Sequence, residues 1–433
     1  MTNFADMPPE VLCHILSLLD PASMLGFSSV SRAWHQTITT SPALQYAAEL
    51  WKNGLLDAGL DPSPVADKLQ ALVKRRRTWQ TLQWRSETVV DVASLHNCFA
   101  YDLVGGVFAL QGRSPDFSTL SLPHLGANAH FARHPLGIEL EKFEDFAMDP
   151  TQDLFVALYY PGSGLASLVF RTLSSHEPHP CAGESKITFP VEGLPQAIRL
   201  ADDVIGVSFV QPGRLQLWNW RTGVLIVDHE STTEHLDFQF LSPRSFVLTS
   251  PLDTGRIDLF TLTAHGAVGT SRVASLCFPE LSEDLEEEIS AVRIRSQPLC
   301  AHPTSGRFRP ANERRVFFIV LEYPDDLESL YLVVHHRTFM RYMRESACSR
   351  HHFYWPRLVL PHHSMYTAKR VLMPTSEKKH IQILDFGPTI ASGATEDTDS
   401  LVVRPSTIPN DGPFKYPDWI LGTMRDRIVV LGF

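Results

Sequence analysis

Residues 202–228 and 238–262 share one internal order, and that order narrows the fold more than any other feature of the chain. In the first stretch an apolar run at 204–210 meets the turn Gln211-Pro212-Gly213. A second run follows at 214–220, then the turn Arg221-Thr222-Gly223 and a third run at 224–227. In the second stretch, runs at 238–241 and 246–249 flank Ser242-Pro243-Arg244, and Gly255-Arg256 leads into a run at 257–262. Short runs rich in Val, Ile, Leu and Phe, punctuated by Gly, Pro, Asn and Asp, read as strands joined by tight turns. In both stretches a strand that ends in an aromatic near the sheet edge follows a Gly-Arg turn. The same texture holds from residue 86 onward, where helical periodicity nearly vanishes. Further runs lie at 87–92, 103–111, 153–160, 165–172, 316–321, 330–335, 368–373, 380–386, 419–423 and 427–432.

Repetition of this kind predicts a β-propeller, which sets small sheets radially and leaves only short, protected edges. The piece Leu215-Gln216-Leu217-Trp218-Asn219-Trp220-Arg221-Thr222-Gly223 resembles the third strand and turn of a WD-type blade. Main strands recur roughly every 40 to 70 residues, near or above the ~40–45 of such a blade. The excess reads as insertions at 113–142, 174–198, 264–312 and 340–366. The count comes to about seven blades, with six or eight also fitting. Residues 87–92 are placed to supply a strand to the blade made by residues 427–432, closing the ring. A β-sandwich is the competing architecture, but sandwiches seldom use so long a run of chain.

The first fifty or so residues read differently. Pro9 suits the first turn of a helix, where a missing N–H costs nothing. Val11, Leu12, Ile15, Leu16 and Leu19 then form one wide apolar stripe. Asp20-Pro21 and Ser41-Pro42 are further helix starts, each a capping side chain ahead of a proline. Leu25, Phe27, Val30 and Trp34 add a second apolar set, and Leu44, Ala47, Ala48 and Trp51 a third. About four short helices in so few residues bury too little surface to be comfortable alone. The surplus of aliphatic side chains predicts a face made for a partner.

The order Met7-Pro8-Pro9-Glu10, then residues 11–19, then Leu19-Asp20-Pro21 and Val30-Ser31-Arg32-Ala33-Trp34 resembles the F-box family. Met7 stands where leucine is usual, a volume-conserving difference. The resemblance covers about a tenth of the chain. It implies that this unit docks a Skp1-type adaptor, and through it a cullin–RING ubiquitin ligase, while the remainder holds an unknown protein target. The adaptor-binding residues it implies are Pro8, Pro9, Glu10, Leu12, Ile15, Leu16, Leu19, Pro21, Leu25, Val30 and Trp34, with Trp34 also a candidate for the core. The expected architecture is therefore a multidomain α plus all-β chain: an F-box helical bundle at 1–54, a linker with a helix at 55–85, and a substrate-binding propeller at 86–433. The linker helix is expected at 68–84, where Leu69, Leu72, Val73, Trp79 and Leu82 keep an approximate helical period around Arg75, Arg76 and Arg77.

Composition agrees with a folded multidomain chain. The sequence has 433 residues, 44% of them hydrophobic and 20% charged. A net charge of −10 argues against nucleic acid, whose backbone wants a basic surface. The longest apolar run, 316–321, is strand-sized, and no run approaches the ~20 residues of a membrane span. With no secretory leader in view, the expectation is a soluble protein of cytoplasm or nucleus. Lys74-Arg75-Arg76-Arg77 could serve nuclear import, although it lies within a helix pattern. Six cysteines (13, 98, 181, 277, 300 and 348) lie far apart, which predicts reduced thiols rather than a zinc or redox motif.

A search for chemistry finds no phosphate-binding loop, dinucleotide fingerprint, His-Glu-x-x-His or nucleophile elbow. The pairs His335-His336, His351-His352 and His362-His363 could supply imidazole ligands. Adjacent strand residues point to opposite faces, however, and no carboxylate or thiol has matching spacing. The acidic run at 281–288 reads as solvated, or as a surface for a basic partner. No catalytic residue, metal or cofactor is expected. A binding scaffold outside any ligase and a propeller enzyme are the competing functions.

Overall fold

A computed structural model of the chain describes residues 7–81, 86–91, 100–111, 116–121, 132–135, 143–160, 162, 164–252, 255–262, 269–278, 289–299, 307–323, 330–344, 350–352, 365–367, 370–374, 380–385, 404–409 and 427–432. Five helices come first: α1 (Pro9–Ser17), α2 (Pro21–Phe27), α3 (Arg32–Thr40), α4 (Pro42–Asn53) and α5 (Val65–Thr81). Proline opens α1, α2 and α4 as predicted. The Asp20 carboxylate accepts the N–H groups of Ala22 and Ser23 at 3.1 and 3.0 Å. The bonds with Ser23 hold its pKa below the usual carboxylate range. Ser31 and Ser41 cap α3 and α4 in the same way. Leu16, Met24, Ile38, Leu44 and Ala48 form one small core, with Cys13, Leu19, Leu25 and Trp34 packed against it.

The β region consists of antiparallel meanders. The first blade holds strands Ala100–Val104, Val107–Gln111, Asp116–Ser121 and Ala132–Pro135. The second holds Asp145–Asp149, Leu154–Tyr159, Leu165–Thr172 and Lys186–Pro190. The third holds Leu194–Ala201, Val204–Val210, Arg214–Asn219 and Val224–Glu230. The fourth holds Phe238–Ser242, Ser245–Ser250, Arg256–Leu262 and Thr270–Cys277, and Arg350–His352 adds to its last strand in parallel. A three-stranded sheet follows (Ala291–Ser296, Val316–Glu322, Leu330–His335), then α6 (His336–Arg344). A C-terminal blade holds Met365–Thr367, Arg370–Pro374, His380–Asp385 and Arg404–Pro409. Ser86–Asp91 pairs antiparallel with Arg427–Gly432, the closing contact expected from the sequence.

The expectation of about seven blades thus becomes, among the described residues, five four-stranded meanders beside one three-stranded sheet and two two-stranded pairs. First strands begin at Ala100, Asp145, Leu194, Phe238 and Ala291, close to the ~40–45-residue period of a WD blade or a little above it. Each of these strands packs beside the next, which arranges the sheets around a common axis.

Apolar side chains fill the gaps between blades. In Leu154–Tyr159, Leu154, Val156 and Leu158 pack toward the third blade, while Phe155 and Ala157 pack toward the first. Period-two alternation therefore feeds two cores at once, which is why such strands read as unbroken apolar runs. The third and fourth blades share a core around Leu217, Phe238 and Phe246, and the fourth shares another with the three-stranded sheet around Leu259 and Ile319.

Several local expectations change. Residues 103–111 are two strands rather than one: Gly105 and Gly106, at φ 57° and 83°, make a two-residue hairpin that pairs Val104 with Val107. The stretches read as insertions contain outer blade strands, among them Asp116–Ser121, Lys186–Pro190 and Thr270–Cys277. Trp220 directly follows the strand Arg214–Asn219. It is fully buried, and its indole N–H donates to the Asp202 carbonyl at 2.8 Å. The linker helix begins at Val65, earlier than expected. The strand expected at 419–423 and the acidic run 281–288 lie outside the described residues.

Candidate functional site

α1 carries two interleaved apolar rows. Leu12 and Leu16 point inward, with 7% and 0% of their surface exposed, and Leu19 packs beside them. Val11 and Leu18 point outward, Leu18 with 75% exposure, and Ile15 is half-buried between them. Val30, at 68%, and Phe27 extend the outward row from the end of α2, where Phe27 lies 5.7 Å from the ring of Trp34. Of the residues expected at an adaptor interface, Pro8, Pro9, Glu10 and Val30 are exposed, and Ile15, Leu19, Pro21, Leu25 and Trp34 are half-buried. Leu12 and Leu16 are spent on the hook's own core and are not presented to a partner. Leu18 and Phe27, absent from the expected set, are presented. The signal for Leu18 was its place in the second row, four and three residues apart from Val11 through Ile15.

The hook is stitched into the β region. Leu55–Asp57, within the stretch read as a linker, pairs antiparallel with Phe308–Pro310, between the first two strands of the three-stranded sheet. The Ala58 N–H donates to Arg307 and the Ala311 N–H to Gly54, both at 3.0 Å. Arg307 pairs with Asp61 at 2.8 Å, and Phe308 joins an apolar cluster with Tyr46, Leu55 and Leu72. α5 is held against α4 by the ion pair of Arg76 with Glu49. Two neighbouring arginines finish the joint. Arg314 lies 4.3 Å over the Trp51 ring and donates to the Trp51 carbonyl at 3.1 Å. Arg315 points the other way, into the propeller, and donates to the carbonyls of Asn312, Gln297, Phe240 and Leu241 at 2.8 to 3.2 Å.

This joint assigns the two faces of the propeller. In a meander, the connections between strands one and two, and three and four, lie at one end. Those between strands two and three, and from blade to blade, lie at the other. The joint is a connection between strands one and two, so the hook sits on that face. On the opposite face a pocket of about 640 Å³ opens between the second and third blades. It is lined by Glu144 and Asp145, by Tyr160 and Gly162, and by Leu194, Pro195 and Gln196. All belong to blade-to-blade or two-to-three connections and the strand ends beside them.

Charged side chains line the ring's inner strands. Asp102, Asp145, Arg199 and Arg295 sit on the first strands of the first three blades and of the three-stranded sheet, and Asp237 lies one residue ahead of the fourth blade's first strand. Asp237 is fully engaged: it accepts the N–H groups of Phe238 and Ile294 at 2.9 and 3.0 Å and pairs with Arg295. Asp102 and Asp145 accept the N–H of Leu103 and Phe146, at 2.8 and 2.9 Å. Neither has an ion-pair partner within contact distance among the described residues. Burial pushes the Asp102 carboxyl up to about 6 and raises Asp145 as well, against the pull of Arg199.

Of the paired histidines, His336 is structural. It is buried, and its ring nitrogen bonds the Leu241 carbonyl at 3.1 Å. Burial, with Arg315 nearby, drops its pKa to about 4. A histidine kept neutral by folding contributes stability that is complete above its ordinary value of 6.5 and is lost as pH falls toward 4. His336→Gln, which keeps an N–H donor, is expected to remove up to about 3 kcal/mol of acid-linked destabilisation over that window. Urea melts of both chains at a series of pH values measure it. Residues 351–352 lie on a described strand, and 362–363 lie outside the described residues. Among the described residues, no three His, Cys, Asp or Glu side chains converge as metal ligands. Cys13, Cys181 and Cys277 are free thiols.

The family model of the F-box domain matches residues 4–45. The chain carries an F-box domain followed by a β-propeller-like region. No curated protein matches it. Among solved structures, Hsv2 of Kluyvelomyces marxianus is similar at 9% identity and TM-score 0.40, over 69% of this chain and 75% of that one. The computationally designed Ika8 protein is similar at 10% identity and TM-score 0.38, over 69% and 87%. Hydrazine synthase of Kuenenia stuttgartiensis is similar at 9% identity and TM-score 0.37, over 67% and 77%. The ring architecture follows from strand order, independently of these likenesses.

Proposed function

We propose that this chain is the substrate-recognition subunit of a Skp1–cullin–F-box type ubiquitin ligase. The hook docks a Skp1-type adaptor, and the propeller holds a protein target. The reading is carried by the F-box match over 4–45 together with an apolar row, Val11, Leu18, Phe27 and Val30, left uncovered on a hook whose core is already filled. An apolar helix face offered to a groove is a known recognition mode. The chain performs no bond chemistry of its own in this role. It raises the effective concentration of a target lysine near a ubiquitin-charged enzyme.

The test is co-purification of the full chain with a Skp1-type adaptor. Leu18→Asp with Val30→Asp places two charges on exposed positions, so thermal unfolding should be unchanged. Adaptor affinity should fall by about a hundredfold or more, since each buried charge costs several kcal/mol. Equal recovery of adaptor by wild type and the double variant would sink the reading.

A further inference from the structure

The propeller face remote from the hook combines features that the ligase role alone does not require. The pocket between the second and third blades has two carboxylates on one wall, Glu144 and Asp145. Its other walls offer an aromatic ring, Tyr160, and the apolar surfaces of Leu194 and Pro195. Gln196, also on the lining, keeps its side-chain oxygen buried with no donor among the described residues. Every polar group named is an acceptor or can act as one. The Asp145 carboxylate meets a backbone N–H but no cation in contact. Burial raises its pKa, while the bond from the Phe146 N–H and the charges of Arg199 and Arg295 pull it back.

A second observation is independent of charge. Several large apolar side chains exposed on the propeller lie at this same end. Tyr101 lies near the start of the first strand of the first blade, next to the strand that carries Asp145. Leu165 begins the strand after the two-to-three connection of the second blade, and Leu194 begins the third blade. An acidic, aromatic-walled pocket inside an apolar rim is complementary to a long cationic side chain with apolar neighbours. The aliphatic stem would cover the apolar wall while the head meets the carboxylates. Arg199, the nearest cation of the inner strands, donates to the Ile198 carbonyl and lies among Asp102, Asp145 and Asp237.

We infer that this pocket receives a lysine or arginine side chain from an extended segment of the target, with apolar residues of that segment resting on Tyr101 and Leu165. The inference rests on the substrate-receptor reading for its biological context, while the binding itself is independent of the hook.

The test uses the full chain and labelled peptide pools, randomised except for a fixed central arginine, lysine, glutamine or phosphoserine, read by fluorescence polarisation. The basic pools should bind at least about tenfold more tightly than the glutamine pool, the worth of one good charge pair. Glu144→Gln with Asp145→Asn should abolish that preference. Glu144→Lys, at an exposed position safe for folding, should turn it toward the phosphoserine pool. Leu18→Asp should leave peptide binding intact while adaptor binding is lost, which separates failure of this inference from failure of the ligase reading. Preference of the wild type for phosphoserine or glutamine, no binding by the basic pools, or an unchanged preference in Glu144→Lys would each overturn it.

Discussion

Arg315→Met is expected to destabilise the propeller by about 3–5 kcal/mol, the scale of breaking a buried hydrogen-bonded charge. Arg315 is 1% exposed. Its guanidinium gathers four carbonyls, two at the end of the fourth blade's first strand and one on either side of the joint strand. It also lies 5.2 Å from the Phe317 ring centre. Methionine fills much of the volume but donates nothing, so the buried carbonyls lose their donor. Arg315→Lys should recover little, because an ammonium on a flexible stem cannot reproduce a planar fork reaching several acceptors. Guanidinium unfolding followed by tryptophan fluorescence provides the measurement. A loss below about 1 kcal/mol would mean that the carbonyls find other donors.

Leu16→Ala is expected to cost the hook about 2–5 kcal/mol, the range for a buried leucine that leaves a cavity. Leu18→Ala, two positions along, should cost no more than about 0.5 kcal/mol. The contrast follows from exposures of 0% on one short helix and 75% at its C-terminal cap. Because hook and propeller need not unfold together, hydrogen exchange of the α1–α4 amides is the better readout than a global melt. Equal protection in the two variants would contradict the inward and outward rows.

Those rows also show how far the sequence could be read. Apolar residues at 11, 12, 15, 16 and 19 look like one wide stripe. They are two rows a residue apart, and only packing against α2–α4 decides which faces in. Helix starts at Asp20-Pro21 and Ser41-Pro42 were legible because capping is local chemistry. Strands such as Val204–Val210 were legible because both faces are buried. Outer strands were not. Lys186–Pro190 alternates exposed and buried residues, and Thr270–Cys277 exposes much of one face, so each resembles a polar insertion. Leu55–Asp57 was missed because its partner lies at Phe308–Pro310, a pairing that no local pattern encodes. The pocket was invisible for the same reason: Asp145, Tyr160 and Leu194 meet only once two blades stand side by side.

The pairing of Ser86–Asp91 with Arg427–Gly432 has a consequence for timing. A ribosome delivers the hook and the first of these strands long before the second. The early blades can form as they emerge, since each is a local meander, but the clasp is a contact of very high sequence separation and comes last. Throughout that interval the nascent chain carries a finished hook on an unfinished ring. The strand 86–91 then has an unpaired edge, open to any other β segment nearby.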